Sequence, residues 1–158
     1  MLSNQSNQTK GDRILLTFSR GRIVRKTAEG EQYFSTLDAK LQRIESSETR
    51  IEGRGTVEFW RLIMEDGGEQ YDVSIRKHTG TATAVLQALA NVPNLSRETG
   101  ISFEVYQSGR YTNVNTHADG NRVQWNTAAV PVLSEPTRRA AYFEKVVADL
   151  NAKLSTNQ

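Results

Sequence analysis

A mainly β domain of the α+β class, a small curled sheet with helices attached, is predicted by three features of this 158-residue chain. Residues 56–66 (TVEFWRLIMED) alternate Val57, Phe59 and Ile63 with Trp60, Leu62 and Met64, the pattern of a strand largely covered on both faces. Gly67-Gly68 then accepts the positive φ of a sharp reversal, and Tyr71, Val73 and Ile75 recur at period two on a returning strand. After this hairpin Ala82, Val85, Leu86 and Leu89 fall at helical spacing, until Pro93 ends the hydrogen-bond ladder.

The flanking elements follow in order. Residues 1–12 (MLSNQSNQTKGD) offer little to bury and predict a disordered lead. RILLTF reads as a short strand, SRGR as a glycine turn and IVRK as the run that follows it. Between Asp12 and Glu29 there is no acidic residue, whereas Arg13, Arg20, Arg22, Arg25 and Lys26 are all positive. This segment is either a phosphate-contacting arm or a solvated edge strand that charge protects from self-pairing. In residues 33–46, Leu37, Ala39 and Leu41 alternate while Phe34 and Ile44 break the phase, which favours one long, bent strand with a bulge over a helix. SETRIEGRG reads as a loop and NVPNLSRETG as a connector. ISFEVYQ alternates cleanly, Ser108-Gly109 turns the chain into YTNVNTH, and Asp119-Gly120 turns it again into NRVQW. A linker at 127–136 precedes a helix at 137–154. There Ala140, Phe143, Val147, Leu150 and Leu154 form an apolar stripe, a docking face for the body of the domain or for a second copy.

Residues 13–126 therefore present a long strand, two more strands, a helix and two strands, with an extra basic strand in front. That is the order of an OB-like, five-stranded, partly open barrel with its helix between strands three and four, whose outer face and loops bind single-stranded nucleic acid or sugars. A curved open sheet with helices across one face is the competing arrangement. The bulge and the glycine corners, which barrel closure requires, favour the barrel.

Composition removes several chemistries. The chain has no cysteine, so disulfides and thiolate metal sites are excluded. No stretch approaches a membrane span and no signal-peptide core is present, so a soluble protein of the cytoplasm is expected. His78 and His117 have no second ligand at metal spacing, and no nucleophile or nucleotide motif occurs. Gly53-Arg54-Gly55 precedes a strand, not a helix, so it supplies no helix N-terminus for an anion. The sequence argues for no enzyme and for no cofactor.

A binding role has better support, because cations and aromatic residues interleave. Single strands are held by aromatic faces on which bases stack and by a cationic groove along the phosphates. A charge is costly inside a small barrel, so Trp60, Leu62 and Met64 are expected inward, with Phe59 and Arg61 outward. By the same reasoning Tyr71, Val73 and Ile75 point inward and Arg76 outward. Stacking is assigned to Phe59, Tyr106, Tyr111 and Trp125. Phosphate contacts are assigned to Arg20, Arg22, Arg25, Lys26, Arg61, Arg76 and Arg110.

The run FWRLIMEDGGEQYDVSI, the helix ending in LANVPNL and the strands ISFEVYQSGRYTNVNTHADGNRVQW together resemble single-stranded-DNA-binding proteins of crAss-like bacteriophages. The resemblance implies an OB-fold that coats single-stranded DNA, favoured over RNA, in phage genome replication or recombination within the host cytoplasm. The competing expectation is a phage structural or assembly protein that makes protein contacts through its final helix and strand edges.

Overall fold

The computed structural model describes residues 13–128 and 130–156; the lead at 1–12 lies outside the described residues. The elements are β1 (Arg13–Ser19), β2 (Arg22–Thr27), β3 (Gly30–Phe34), β4 (Thr36–Ile51), β5 (Gly55–Asp66), β6 (Glu69–Arg76), α1 (Gly80–Ala90), β7 (Gly100–Ser108), β8 (Tyr111–Ala118), β9 (Asn121–Arg122) and α2 (Pro136–Thr156). The strands form one mixed sheet of nine in the order β3-β2-β1-β6-β5-β4-β7-β8-β9. All neighbours are antiparallel except β1 and β6, which run parallel with Ile14 opposite Tyr71 and Leu16 opposite Val73.

The mainly β, α+β expectation holds, but the strand count does not, and the sheet is not closed into a barrel. Three N-terminal strands join the sheet instead of one, because Ile14, Leu16, Phe18 and Ile23 continue the buried face across β1 and β2. β3 was absent from the sequence reading: GEQYF lies at the end of the sheet and is exposed along most of its length, so it lacks the apolar alternation that marks a half-buried strand. The segment expected as a loop after Ser46 is also strand. Glu48, Thr49 and Arg50 pair with Glu58, Val57 and Thr56, and their side chains are polar because this end of the β4–β5 hairpin lies in solvent. Conversely, NRVQW contributes only the two-residue β9.

The long bent strand appears as β4, broken from β3 at Ser35. Its register slips between Leu41 and Arg43, the expected bulge, which leaves Gln42 as the extra residue. Its first part, Thr36 to Lys40, pairs with β7, and the remainder, from Lys40 to Ile51, pairs with β5. At the far side of the sheet the β1–β2 turn folds against the β7–β8 hairpin, where the Gly21 N–H donates to Thr112 Oγ1 at 2.9 Å. Gly21 has φ +73, and a Cβ there would stand 2.7 Å from the Gln107 Cβ and 2.8 Å from its backbone nitrogen. Only glycine permits this approach.

The inward orientation deduced for the central hairpin is observed: Trp60, Leu62, Met64, Tyr71, Val73 and Ile75 are buried in the core. α1 and α2 cover that side. Thr79 caps α1 by accepting from the Ala82 N–H at 3.1 Å. On α2 the stripe of Phe143, Val147, Leu150 and Leu154 is buried within the chain, so the covered face belongs to the body and not to a second copy.

Polar contacts fix α2 in place. Lys77, 6% exposed, puts its Nζ 3.9 Å from the centre of the Trp60 ring, 3.2 Å from Glu144 and 3.5 Å from Glu58. Asn151 donates to the Ile44 carbonyl at 2.9 Å and accepts the Ile44 N–H at 2.8 Å. The amide thereby stands in for a neighbouring strand where β4 has run past its last pairing with β7, at Lys40. Replacing Asn151 with Ala orphans both groups, and urea denaturation is expected to show a loss of about 1–3 kcal/mol.

Candidate nucleic-acid interface

The outer face of the sheet carries the candidate residues, and alternation along each strand decides which of them share it. On β2, Arg22, Val24 and Lys26 face outward. Arg25, opposite Gln32, turns to the side of Ile23 and Phe34. On β5 and β6, Phe59 stands opposite Arg76, and Arg61 opposite Ser74. Between β2 and β4 this face sinks into an open trough of about 590 Å³. Its floor and walls include Leu15, Thr17, Lys26, Ser47, Phe59 and Arg61. Phe59 and Arg61 are half-buried there.

Arg61 is not a free cation. Its Nε donates to Asp72 Oδ1 at 3.0 Å and an Nη donates to Asp72 Oδ2, a bidentate pair. Asp72 is 2% exposed, and Arg13 approaches it to 3.7 Å from the other side. Hydrogen bonding to Asp72 raises the proton affinity of the Arg61 guanidinium still further, against the opposing effect of burial. The sequence places Asp72 with Ser74 and Arg76 on the outer side of the strand, but its pairing with Arg61 was missed, although the tight Gly67-Gly68 turn makes it the diagonal cross-strand neighbour of Arg61.

Around the β1–β2 turn the charges are shared differently. The Arg20 guanidinium donates to Glu31 at 2.9 Å, and the Tyr33 hydroxyl donates to the same carboxylate oxygen at 2.7 Å. The Tyr33 hydroxyl first, and Arg20 next, hold the Glu31 carboxyl below the usual carboxylate range. Arg22 lies over the Tyr33 ring, 4.6 Å from its centre. Tyr33 and Arg13 were both missed as site residues. Reading GEQYF as a strand would have put Tyr33 on the face of Val24 and Lys26.

One end of the molecule gathers most of the assigned residues. The Arg20-Gly21 turn touches Thr112, and Thr81 at the start of α1 donates to the Thr112 carbonyl at 2.8 Å. The tip of the β7–β8 hairpin, with Tyr106, Arg110 and Tyr111, is thus brought beside Arg20, Arg22 and the end of β6 at Arg76. Tyr106 and Tyr111 are 40% and 71% exposed. Among the described residues no carboxylate lies within ion-pair distance of Arg22, Lys26, Arg76 or Arg110. Two assigned residues stand apart: Arg25 on the other face, and Trp125 beyond β9, at the opposite end of β8 from Tyr111.

A second cavity, about 700 Å³, is lined by Asp38, Asp66, Glu104 and Asp119 against Lys40 and His117, a balance that repels phosphate. Among the described residues no group of three potential ligands could hold a metal ion, and no helix is long and apolar enough to cross a membrane. The chain matches no family model, no curated protein and no solved structure.

Two measurements probe this geometry. Asp72→Asn removes the charge that compensates Arg61, and a stability loss of about 1–3 kcal/mol is expected in urea, limited because Arg61 can still reach water. A carboxyl ¹³C titration should find Glu31 below the normal range, and Tyr33→Phe should move it upward. Because its folded value is depressed, the contribution of Glu31 is complete above the ordinary carboxylate range and fades as pH falls through the lowered value.

Proposed function

We propose that this chain binds single-stranded DNA without strong sequence preference, through an OB-like surface centred on β5 and β6. The observation that carries the reading is the convergence of Arg22, Arg76 and Arg110, free of carboxylate partners, with Phe59, Tyr106 and Tyr111 at one end of the sheet, continuous with the trough. The order β6-β5-β4-β7-β8 with α1 between β6 and β7 supports an OB-like reading of this part of the sheet. In that fold the face of strands two and three and the loops after strands one and four bind oligonucleotides. Here those are the β5–β6 face, the Arg54 loop and the Arg110 tip.

In this arrangement Phe59, Tyr106 and Tyr111 offer ring faces to bases, and Tyr33 under Arg22 offers a further stacking surface. Arg22, Lys26, Arg76 and Arg110 contact phosphates, while Arg61, held by Asp72, shapes the floor. The resemblance to crAss-like phage proteins supports phage DNA replication or recombination as the setting.

Fluorescence polarisation with a labelled oligothymidine, at low and at moderate salt, tests this. The double variant Arg22→Ala/Arg76→Ala should weaken binding and flatten the log–log salt slope by about 0.7 per lost contact. Phe59→Ala should weaken binding by about 1–3 kcal/mol with the slope unchanged. No polarisation change for the wild-type protein at low salt would remove the reading.

A further inference from the structure

We infer that the open edge of β3 is a self-association surface, on which a second copy of this chain pairs antiparallel about a two-fold axis through Gln32. The inference rests on the hydrogen-bonding phase of the β2–β3 hairpin. Its loop has two residues, Ala28 and Glu29, so Thr27 and Gly30 form the closing hydrogen-bonded pair. In an antiparallel ladder such pairs alternate with pairs whose N–H and C=O groups point away. Arg25–Gln32 and Ile23–Phe34 are therefore the bonded pairs, and the main-chain groups of Glu31 and Tyr33 point outward. The β1–β2 hairpin gives the same phase independently. Ser19 and Arg22 close its two-residue turn, so Val24 directs its groups to β1 and leaves Tyr33 unpaired by β2.

β3 is the last strand of the sheet, and Gly30, Glu31, Gln32 and Tyr33 are exposed. An open edge of this kind is a template for another strand. The charge that guards against it in this chain sits mostly on β2, one strand further in, and not on the edge itself.

The edge is complementary to itself. With Gln32 on the axis, Glu31 of one copy faces Tyr33 of the other, and each donates its N–H to the other's carbonyl. No like charges stand directly opposite. Each Glu31 already meets its own Arg20 at 2.9 Å and its own Tyr33 hydroxyl at 2.7 Å, so the two diagonal carboxylates meet as compensated groups. The main-chain phase sets the register of pairing, and the charge pattern lets a second copy occupy the edge with no like charges directly opposite. Pairing would also set the outer faces of the two chains side by side, with Arg22, Tyr33 and Lys26 of both near the junction.

The Gln32 side chain is exposed and forms no hydrogen bond within the described residues, while its cross-strand neighbour in the same chain is Arg25, so circular dichroism of each variant first checks that the fold is kept. Sedimentation equilibrium of the protein without nucleic acid, which keeps the outcome independent of the DNA-binding proposal, tests the inference with Gln32→Lys and Gln32→Glu. The wild-type chain is expected to show a concentration-dependent dimer. Each variant alone should weaken it several-fold by placing like charges opposite, and an equimolar mixture of the two should restore it. A monomeric mass for the wild type at millimolar concentration overturns the inference. So does a dimer that both variants retain, or a mixture no tighter than either variant alone.

Discussion

Everything in this fold is referred to β4. A strand of sixteen residues cannot stay flat beside two partners of different length, and the slip at Gln42 lets it bend so that its first part serves β7 and its remainder extends along β5. The bend has a cost in unpaired backbone. Past Lys40 one side of β4 has no strand beside it, and Asn151 of α2 supplies the missing donor and acceptor at Ile44. The terminal helix is thus part of the sheet's hydrogen-bond economy as well as a lid on its core. Its register is checked again by Glu144 on Lys77, by the Tyr142 hydroxyl on Gln87 at 2.9 Å and by Arg139 on the Thr83 hydroxyl at 2.7 Å.

The same curl explains why the sheet comes close to closure without achieving it. β1 lies parallel to β6, and β2 and β3 extend the sheet beyond it. The corner is reached not by a ladder but by the edge-on packing of Phe18 against Phe103 and by the approach of Gly21 to Gln107 and Thr112. A side chain at that position would hold the two hairpins apart.

How much of this was legible in the sequence follows from where apolar residues fall. The β5–β6 hairpin, α1, the bulge in β4 and the stripe of α2 were readable because each alternates or repeats against a buried face, and Arg61 could be turned outward simply because charge is costly in a core. β3 and the far end of β4 were not, since both lie largely in solvent and their pairing leaves no period in hydrophobicity. The parallel contact of β1 with β6 is non-local and has no signature in either strand alone. Of the site, the gathering of Arg22, Arg76 and Arg110 was legible as composition but not as place. Trp125 had an aromatic ring and a nearby cation, but β9 ends three residues before it and leaves it away from the others.

The clustering of positive residues along a sequence is a different quantity from positive potential on a surface. Arg20 and Arg61 are each matched by a carboxylate that is remote in sequence or across a turn, and Arg13 is drawn to one already matched. What remains unmatched is the set on the outer strands and hairpin tips, where long side chains keep contact with water. The matched pairs have a mechanical consequence. Held through Nε and one Nη by Asp72, the Arg61 guanidinium has a defined plane next to Phe59, so the floor of the trough has little ordering left to lose when a flat ligand lies on it. The unmatched cations, by contrast, carry the part of any attraction to phosphate that salt can screen. The molecule thus separates a floor whose arginine is paired from a rim rich in unpaired cations.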